Sequence, residues 1–258
     1  MKNHSNQNIT RQKKIKRKSK RRNSLDVGLG YLCSVSHRLR SPISVILGTV
    51  SMFRDKSVYK LPRKTQEQFI ENIYKKTLEL HGTIENILAA SEMSTKDFAK
   101  RLNFVPVQIE DLIKEVYKDS LKDAKKEGLF FTYKKSKNKL SLISADKKYL
   151  KLAIANLIDN AIQYTKEGGK IEITARKLKD NVIIKIKDTG MGIPKKDTKG
   201  IFKKFYRASN ATTTYTDYPG LGLFIVKKVL DLHPGAKMSF KSKEGNGTCF
   251  TLSFPIVR

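Results

Sequence analysis

Apolar residues recur at spacings of three and four along much of the first hundred residues, which is the pattern of helices with one apolar face. The first series runs through Leu25, Leu29, Leu32, Ser36, Leu39, Ile43, Ile46, Val50 and Phe53, and Ser36 is its only polar member. This series predicts a helix from about residue 25 to residue 55. Pro42 lies inside that helix and is expected to bend it, because proline removes one backbone hydrogen bond.

A second series predicts another long helix, from about residue 63 to residue 94, after a connector at 57–62. Its members are Ile70, Ile73, Thr77, Leu80, Ile84, Ile87 and Ser91. Two helices with one apolar seam each form a hairpin, and a hairpin alone cannot shield both seams from water. We therefore expect two copies of the chain to pair as a four-helix bundle, which makes the protein a homodimer.

Beyond residue 97 the pattern changes to shorter elements of mixed type. Helices are expected at 109–127, 147–165 and 222–232, and strands at 130–134, 140–144, 171–178, 182–188, 238–242 and 248–254. Two of these strands alternate apolar with polar residues, as in a hairpin with one face in water. The predicted fold class is α+β multidomain. It comprises a tail at 1–24, the helical hairpin at 25–97, and an α/β sandwich at 98–258 whose mostly antiparallel sheet lies under three helices.

Charge is the most unusual feature of the composition, because the 258 residues carry a formal net charge of +29. The tail has no acidic residue, and its cations are Lys2, Arg11, Lys13, Lys14, Lys16, Arg17, Lys18, Lys20, Arg21 and Arg22. Such a segment cannot bury apolar surface and is expected to be disordered. It either binds an anionic membrane surface or nucleic acid, or is simply solvated; its lack of aromatic residues argues against base stacking.

The rest of the composition is typical of a globular chain, with 39% hydrophobic and 30% charged residues. The sequence contains no run of eighteen apolar residues and no signal peptide, so we expect a cytoplasmic protein with no transmembrane segment, at most associated with a membrane surface. Cys33 and Cys249 lie far apart and match no metal-binding spacing, which favours a reduced cytosolic setting.

Candidate chemistry begins at His37, directly after the polar seam position Ser36. One residue off the seam corresponds to about 100° around the helix, so the imidazole is expected to face solvent. A lone histidine at such a position is most simply a surface residue. The motifs of the second domain are what suggest a chemical role for it.

The helix predicted at 147–165 carries Asn156 and Asn160 on one face, four residues apart. A carboxamide oxygen can ligate Mg²⁺, which needs only one or two protein ligands when it also holds phosphate oxygens. Taken alone, two asparagines that cap nearby loops would be the simpler interpretation.

Three glycine-containing stretches complete the set. Asp188 to Pro194 follows a strand, where a carboxylate can accept a hydrogen bond from an exocyclic amine and glycines let the backbone approach a flat ring. Gly220 to Leu223 opens a helix, and backbone N–H groups at a helix start favour phosphate. Gly245 to Thr248 is most simply a structural hairpin turn. Each stretch is weak evidence alone, whereas their order and spacing together are strong evidence.

Together these motifs resemble the cytoplasmic core of a sensor histidine kinase from a two-component system. His37 with Leu39, Ser41 and Pro42 resembles the phospho-acceptor box of that family. The other boxes are matched by 156–165 (asparagine box), 188–194 (first glycine box), 201–207 (phenylalanine box), 220–223 (second glycine box) and 245–255 (closing strand). The resemblance covers residue 25 to the C-terminus. It implies an ATPase domain of the kinase type, with gyrase-type ATPases as a weaker alternative because they lack the histidine hairpin.

The resemblance also implies roles for individual residues, with ATP and Mg²⁺ as the ligands. His37 would be the phospho-acceptor, Asn160 would ligate Mg²⁺ with support from Asn156, and Asp188 would bind the adenine amino group. Residues 202–219 would form a mobile lid. The remaining positions implied to bind the nucleotide are Tyr164, Gly190, Gly192, Arg207, Gly220, Leu221, Gly222, Leu223 and Thr248. The phosphoryl group would then pass to an aspartate of a response-regulator receiver domain.

The sequence departs from the family pattern at four places. Arg38 stands where the family usually has an acidic residue, and arginine cannot act as a base near neutral pH. Gln163 replaces a frequent lysine, Tyr218 with Pro219 replaces the start of the second glycine box, and Ser41 replaces a threonine that bears on dephosphorylation of the partner. Arg38 leaves two interpretations open: a slow histidine kinase, or a dimeric ATP-binding scaffold without kinase activity.

Overall fold

The computed structural model of the chain describes residue 36 and residues 39–95, 97–136, 138–212 and 220–257. Its contacts divide the chain into two compact units, Met1–Thr83 and Ile84–Arg258. Each unit is described by itself below. The predicted basic tail and the first part of the predicted helix, including His37 and Arg38, lie outside the described residues. The predicted boundaries at 24/25 and 97/98 stay predictions.

In the first unit, α1 is helical at residues 39–54 and runs through Pro42 without interruption. A 3₁₀ turn, Ser57–Lys60, follows as the predicted connector, and it buries Val58 completely. α2 (Arg63–Glu92) then begins in this unit, and its residues from Ile84 onward belong to the second unit. The connector is held by a hydrogen bond from the Ser57 backbone N–H to the Asp55 carboxylate (2.9 Å). The bend expected at Pro42 stays a prediction.

Both helices of the first unit leave a stripe of large apolar side chains in water. On α1 the stripe consists of Ile43, Leu47 and Val50, and on α2 it consists of Ile70, Tyr74 and Leu78. The spacing of three or four residues places each set on one helical face. Within a single chain these faces stay exposed. Ile43, Val50 and Ile70 belong to the predicted seams, whereas Leu47, Tyr74 and Leu78 each lie one residue off them, so the exposed faces coincide with the predicted seams only in part.

The second unit is built on a five-stranded mixed sheet in the order β2-β4-β5-β7-β6. Its strands are β2 (Phe130–Lys134), β4 (Lys170–Leu178), β5 (Asn181–Asp188), β6 (Lys237–Ser242) and β7 (Thr248–Pro255). β2 pairs with β4 in parallel and the other neighbours are antiparallel. The parallel pair exists because a whole helix intervenes between the two strands, which allows a crossover connection.

A separate two-stranded sheet pairs β1 (Val105–Val107) with β3 (Ile143–Ala145) in antiparallel fashion. The strand expected at 140–144 was therefore placed too early, and β1 was missed. Both strands are only three residues long, too short for an alternating pattern to identify them. Pro106 lies inside β1, where proline is tolerated because the strand is at an edge.

Three helices cover one face of the large sheet: α3 (Ile109–Lys126), α4 (Lys147–Tyr164) and α6 (Gly222–Leu232). The core between them includes Leu157 and Ile158 of α4, Ile173 of β4 and Val226 of α6, all essentially inaccessible to water. The short helix α5 (Ser209–Thr212) lies between β5 and α6 along the chain. The predicted fold class, a helical region followed by an α/β domain with a mostly antiparallel sheet, is confirmed. Within the residues described, no helix is both long and apolar enough to cross a membrane.

Candidate functional site

A cavity of about 140 Å³ opens in the second unit beside α4, the end of β5, the start of α6 and the start of β7. The residues around it include most positions that the sequence suggested for nucleotide binding. These are Asn156, Asn160, Tyr164, Asp188, Gly192, Arg207, Gly220, Leu221, Gly222, Leu223 and Thr248. The fold thus brings five separate motifs to one cavity.

Asp188, the last residue of β5, is buried at one side of this cavity. Its Oδ1 atom accepts hydrogen bonds from the backbone N–H groups of Gly190 (2.9 Å) and Thr248 (3.0 Å). Burial raises the pKa of the carboxyl, while these two hydrogen bonds partly offset the shift. The remaining oxygen, Oδ2, has no hydrogen-bond donor among the described residues, so it is available to a donor on a ligand.

The glycines near Asp188 allow segments of backbone to approach each other more closely than a side chain would permit. A β-carbon on Gly190 would lie 2.4 Å from the Tyr164 carbonyl oxygen, and one on Gly192 would lie 2.1 Å from the Lys243 carbonyl oxygen. The Gly245 N–H also donates to the Met191 carbonyl (2.8 Å). These contacts join the end of α4, the loop after β5 and the turn between β6 and β7 into one wall. Gly190 shapes this wall without lining the cavity itself.

The turn that the sequence suggested was merely structural, Gly245 to Thr248, is thus also part of the site. Thr248 donates to Asp188, and its hydroxyl lies 2.8 Å from the Ser242 hydroxyl. Local sequence reveals a turn there, but the backbone bond to a carboxylate sixty residues earlier arises only from strand pairing.

On α4, the two asparagines face the start of α6. Asn156 donates from Nδ2 to the Leu152 carbonyl (2.9 Å) and to Oδ1 of Asn86 (3.1 Å). A β-carbon on Gly222 would come within 2.7 Å of the Asn156 Oδ1 atom and 3.4 Å of the Asn160 Nδ2 atom. Asn160 Nδ2 is buried and has no hydrogen-bond partner among the described residues, so this carboxamide is a candidate ligand-binding group.

The donor set near Asn160 fits a magnesium ion that arrives with phosphate. Nowhere in the described ranges do three His, Cys, Asp or Glu side chains gather in a way that could hold a metal ion alone. Mg²⁺ needs few protein ligands when phosphate oxygens and water complete its octahedron, and a carboxamide oxygen is a suitable ligand. Since N and O of an amide can exchange places by rotation, Asn160 can present its oxygen.

The start of α6 presents uncapped backbone N–H groups. Gly220 has a φ of 66°, Leu221 is fully buried, and in the part of the chain that the structure describes no side chain caps the helix that begins at Gly222. The first N–H groups of a helix without such a cap, together with the helix dipole, favour an anion. The nearby asparagines and this helix start together form a polar end of the cavity.

A set of residues that the sequence did not single out surrounds Arg207. Asp197 accepts hydrogen bonds from the Tyr206 hydroxyl and from Ser209, and Asn210 donates from Nδ2 to the Gly192 carbonyl (3.0 Å). One signal was available: Asp197 is the only acidic residue between Asp188 and Asp217.

Of the predicted residues that the structure describes, Gly190 and Ser41 do not line the cavity, and Ser41 is exposed on α1 in the first unit. His37 and Arg38 lie outside the described residues. Tyr218 and Pro219 also lie outside the described residues. The structure therefore characterises the nucleotide side of the predicted reaction, and the acceptor side only from residue 39 onward.

Comparison with known families gives two matches along the chain. Residues 31–96 match the family model of the His Kinase A (phospho-acceptor) domain. Residues 145–258 match the model of the histidine kinase-, DNA gyrase B- and HSP90-like ATPases. Sensor protein SrrB of Staphylococcus aureus (strain MRSA252) is 30% identical over 226 residues, which are 87% of this chain and 37% of SrrB. The chain thus spans little more than a third of the length of the curated relatives that it matches.

Solved structures show the same fold. The catalytic domain of histidine kinase ThkA has 30% sequence identity and a TM-score of 0.52, with 60% of this chain and 97% of that domain covered. The structure of ThkA in complex with the response regulator protein TrrA has 26% identity and a TM-score of 0.61. That match covers 95% of this chain and 66% of the ThkA chain.

Proposed function

Because the chain belongs to the sensor histidine kinases of two-component systems, we propose that it transfers the γ-phosphoryl group of ATP to its own His37 and then to an aspartate of a response-regulator receiver domain. The observation that carries this proposal is the cavity where Asp188, Asn156, Asn160 and the start of α6 meet. One end of the cavity has a buried carboxylate, which suits the amine of a base. The other end has carboxamides and the N–H groups of a helix start, which suit phosphates.

Adenine binds at the Asp188 end. Oδ1 of Asp188 is already engaged by two backbone N–H groups, so Oδ2 accepts the hydrogen bond from the exocyclic amine of the base. Gly192 allows the backbone to approach the flat ring, and Tyr164 packs near it. Gly190 supports this geometry because its N–H holds the carboxylate in place.

The phosphates bind at the opposite end, between α4 and α6. Gly220, Leu221, Gly222 and Leu223 offer the N–H groups of a helix start, and Arg207 supplies a positive charge. Asn160, supported by Asn156, is the residue we propose as the Mg²⁺ ligand. When bound, Mg²⁺ supplies charge neutralisation on the phosphate oxygens.

The chemical step needs one nucleophile and good alignment. A neutral imidazole nitrogen of His37 forms a bond to the γ-phosphorus, the bond from that phosphorus to the β,γ-bridging oxygen breaks, and ADP leaves. The proton on the other imidazole nitrogen is then lost to water. Transfer of this kind depends mainly on positioning and on charge neutralisation.

Two partners follow from this function. The exposed apolar stripes on α1 and α2 support a homodimer, in which a second copy buries them. ThkA has been captured with the response regulator TrrA, and the likeness of this chain to ThkA supports a receiver domain as the partner that takes the phosphoryl group.

The test is incubation with γ-labelled ATP and Mg²⁺. The protein should acquire label that survives alkali and is lost in acid, and the His37→Ala variant should stay unlabelled. His81→Ala is the control, because His81 is an exposed histidine of α2 and should not affect labelling. An unlabelled wild-type protein that still binds ATP would contradict the kinase and favour the second candidate, a dimeric ATP-binding scaffold. Arg38 is the observation that keeps this candidate in consideration.

The basic tail carries a separate proposal, association with an anionic membrane surface or with nucleic acid. Binding driven by phosphate contacts falls steeply as salt rises. Deletion of residues 1–23 should therefore abolish salt-sensitive binding to vesicles with anionic lipid, or to duplex DNA. Unchanged binding by the truncated protein would rule this role out.

A further inference from the structure

Arg207 is flanked on both sides by residues that are bonded to one carboxylate. The Tyr206 hydroxyl donates to Oδ1 of Asp197 (2.6 Å). The Ser209 backbone N–H and the Ser209 hydroxyl both donate to Oδ2 (2.8 Å each). The Asp197 side chain is thus bonded to the residue directly before Arg207 and to the second residue after it.

Asp197 is itself held rigidly. Its N–H donates to the Pro194 carbonyl (2.9 Å), and its own carbonyl accepts from the N–H groups of Gly200 (2.8 Å) and Ile201 (3.2 Å). The side chain is almost fully buried. The ring of Tyr206 packs so closely on Gly200 that a β-carbon there would lie 2.4 Å from Cζ. Asp197 therefore joins the loop after β5 to the segment that carries Arg207.

The sequence around Asp197 is rich in cations. Five lysines stand between Pro194 and Ser209: Lys195, Lys196, Lys199, Lys203 and Lys204. Asp197 is the only acid among them, and an ionised carboxylate can accept three donors at once on its two oxygens. The hydrogen bonds from Tyr206 and Ser209 hold the pKa of Asp197 below its usual range, so it stays ionised.

We propose that Asp197 is a positioning residue that holds Arg207 at the rim of the nucleotide cavity. It acts through Tyr206 and Ser209, so that the guanidinium is already ordered when ATP binds. The inference rests on the proposed function, because it concerns the same nucleotide site. Arg207 lines the cavity, and its Nη2 donates to the Ala211 carbonyl (2.6 Å), which fixes the guanidinium from the other side. A side chain ordered before binding loses less entropy when the ligand arrives.

The expected effect is a loss of ATP affinity. Removal of the carboxylate breaks three hydrogen bonds to a charged group and frees the chain around Arg207. Asp197→Ala should therefore weaken ATP binding about tenfold or more. Tyr206→Phe, which removes one hydroxyl and keeps the ring on Gly200, should weaken it in the same direction by a smaller factor.

The deciding experiment is a double-mutant cycle measured by calorimetric titration with Mg-ATP. Asp197→Ala should lower affinity strongly in the wild-type chain and hardly at all in the Arg207→Ala background, because Asp197 acts through Arg207. Asp197→Asn should restore most of the affinity. Its carboxamide oxygen can accept both Ser209 bonds, and its NH₂ can donate to the Tyr206 oxygen.

Ile173→Val is the matched control for stability. Ile173 is fully buried in the sheet, so the substitution destabilises the same domain without contact to the Arg207 segment. Ile173→Val should leave the dissociation constant of the folded protein for Mg-ATP unchanged. If Asp197→Ala does not fold, as judged by thermal unfolding, the cycle is run with Tyr206→Phe instead.

The outcomes separate this inference from the proposed function. The positioning role would be overturned if Asp197→Ala lowered ATP affinity equally in the wild-type chain and in Arg207→Ala. It would also be overturned if Asp197→Ala and Tyr206→Phe both bound ATP with wild-type affinity. Neither outcome would affect the proposal that the chain binds ATP and labels His37. Conversely, a wild-type chain that binds ATP but never labels His37 contradicts the kinase, and the cycle still decides the role of Asp197.

Discussion

Gly247 packs against the backbone of Asp188 so closely that a β-carbon on residue 247 would lie 2.1 Å from the Asp188 carbonyl oxygen. Asp188 ends β5 and Gly247 directly precedes β7, and their approach lets the N–H of the next residue, Thr248, reach the Asp188 carboxylate. The proposed adenine end of the cavity therefore depends on a glycine that does not line the cavity itself.

Gly247→Ala should damage both stability and nucleotide binding. Gly247 has a φ of 84°, where a side chain costs about 1–2 kcal/mol, and the collision with Asp188 adds about 1–3 kcal/mol. Gly245→Ala is the matched control: its φ is 77°, yet a β-carbon there meets nothing within 4 Å. Thermal unfolding and ATP titration should show the smaller loss for Gly245→Ala. Equal effects would mean that the approach to Asp188 does not matter.

Asp188→Asn should weaken ATP binding about 10- to 100-fold, which corresponds to the loss of a hydrogen bond to a charged group. The amide oxygen can still accept from Gly190 and Thr248, but an NH₂ group then faces the amine of adenine. Purine riboside triphosphate, which lacks that amine, is the matched ligand and should bind the variant as it binds the wild type. A parallel loss for both nucleotides would contradict the assignment.

His233 should make stability fall as the pH falls below about 6.5, the ordinary histidine pKa. Its Nε2 accepts from the Asp146 backbone N–H (3.1 Å), and its Nδ1 lies 2.7 Å from the Val229 carbonyl. Burial lowers the pKa of His233, so the unfolded chain takes up a proton at a higher pH than the folded one, and stability present above pH 6.5 is lost below it.

Thermal unfolding between pH 8 and pH 5 tests this dependence. The midpoint of His233→Gln, whose amide oxygen can accept from Asp146, should vary less over this range than that of the wild type. His81→Gln, an exposed position on α2, is the control and should follow the wild type. Parallel curves for His233→Gln and the wild type would show that His233 is not the group responsible.

Leu78→Glu should shift the protein from dimer to monomer. Leu78 is 50% exposed in the apolar stripe of α2, and a charge there would be costly to bury against a second copy. Leu178→Glu is the matched control, because Leu178 is 49% exposed at the end of β4 in the other unit. Light scattering after size exclusion measures the mass. A dimer that survives Leu78→Glu would place the interface elsewhere.

Arg38→Glu should raise the rate of His37 labelling, because general-base assistance is typically worth about 10²–10⁴-fold. Arg40→Glu, an exposed position of α1, adds the same charge change two residues away and is the control. Single-turnover labelling with excess ATP measures the step. If Arg38→Glu lowers the rate, the arginine itself assists the incoming phosphate.

Much of the architecture was accessible from local patterns. The alternation at 171–178 and 182–188 predicted β4 and β5 to within a residue, and α6 begins and ends as predicted. These elements bury one face, so the period of their apolar residues reports the element type directly. β1 and β3 failed this test because three residues are too few to show a period.

The family and the positions of its motifs could be recognised from the order of the residues, because each motif is a run of neighbouring residues with its own chemistry. Tertiary structure alone decided which groups meet: the Thr248 N–H with Asp188, Asn156 with Asn86, and Asp197 with Ser209. Such contacts join residues 12 to 70 positions apart, and no local pattern encodes them. They form because strand pairing and helix packing fix the backbone first, and the side chains then satisfy the polar groups that this packing buries.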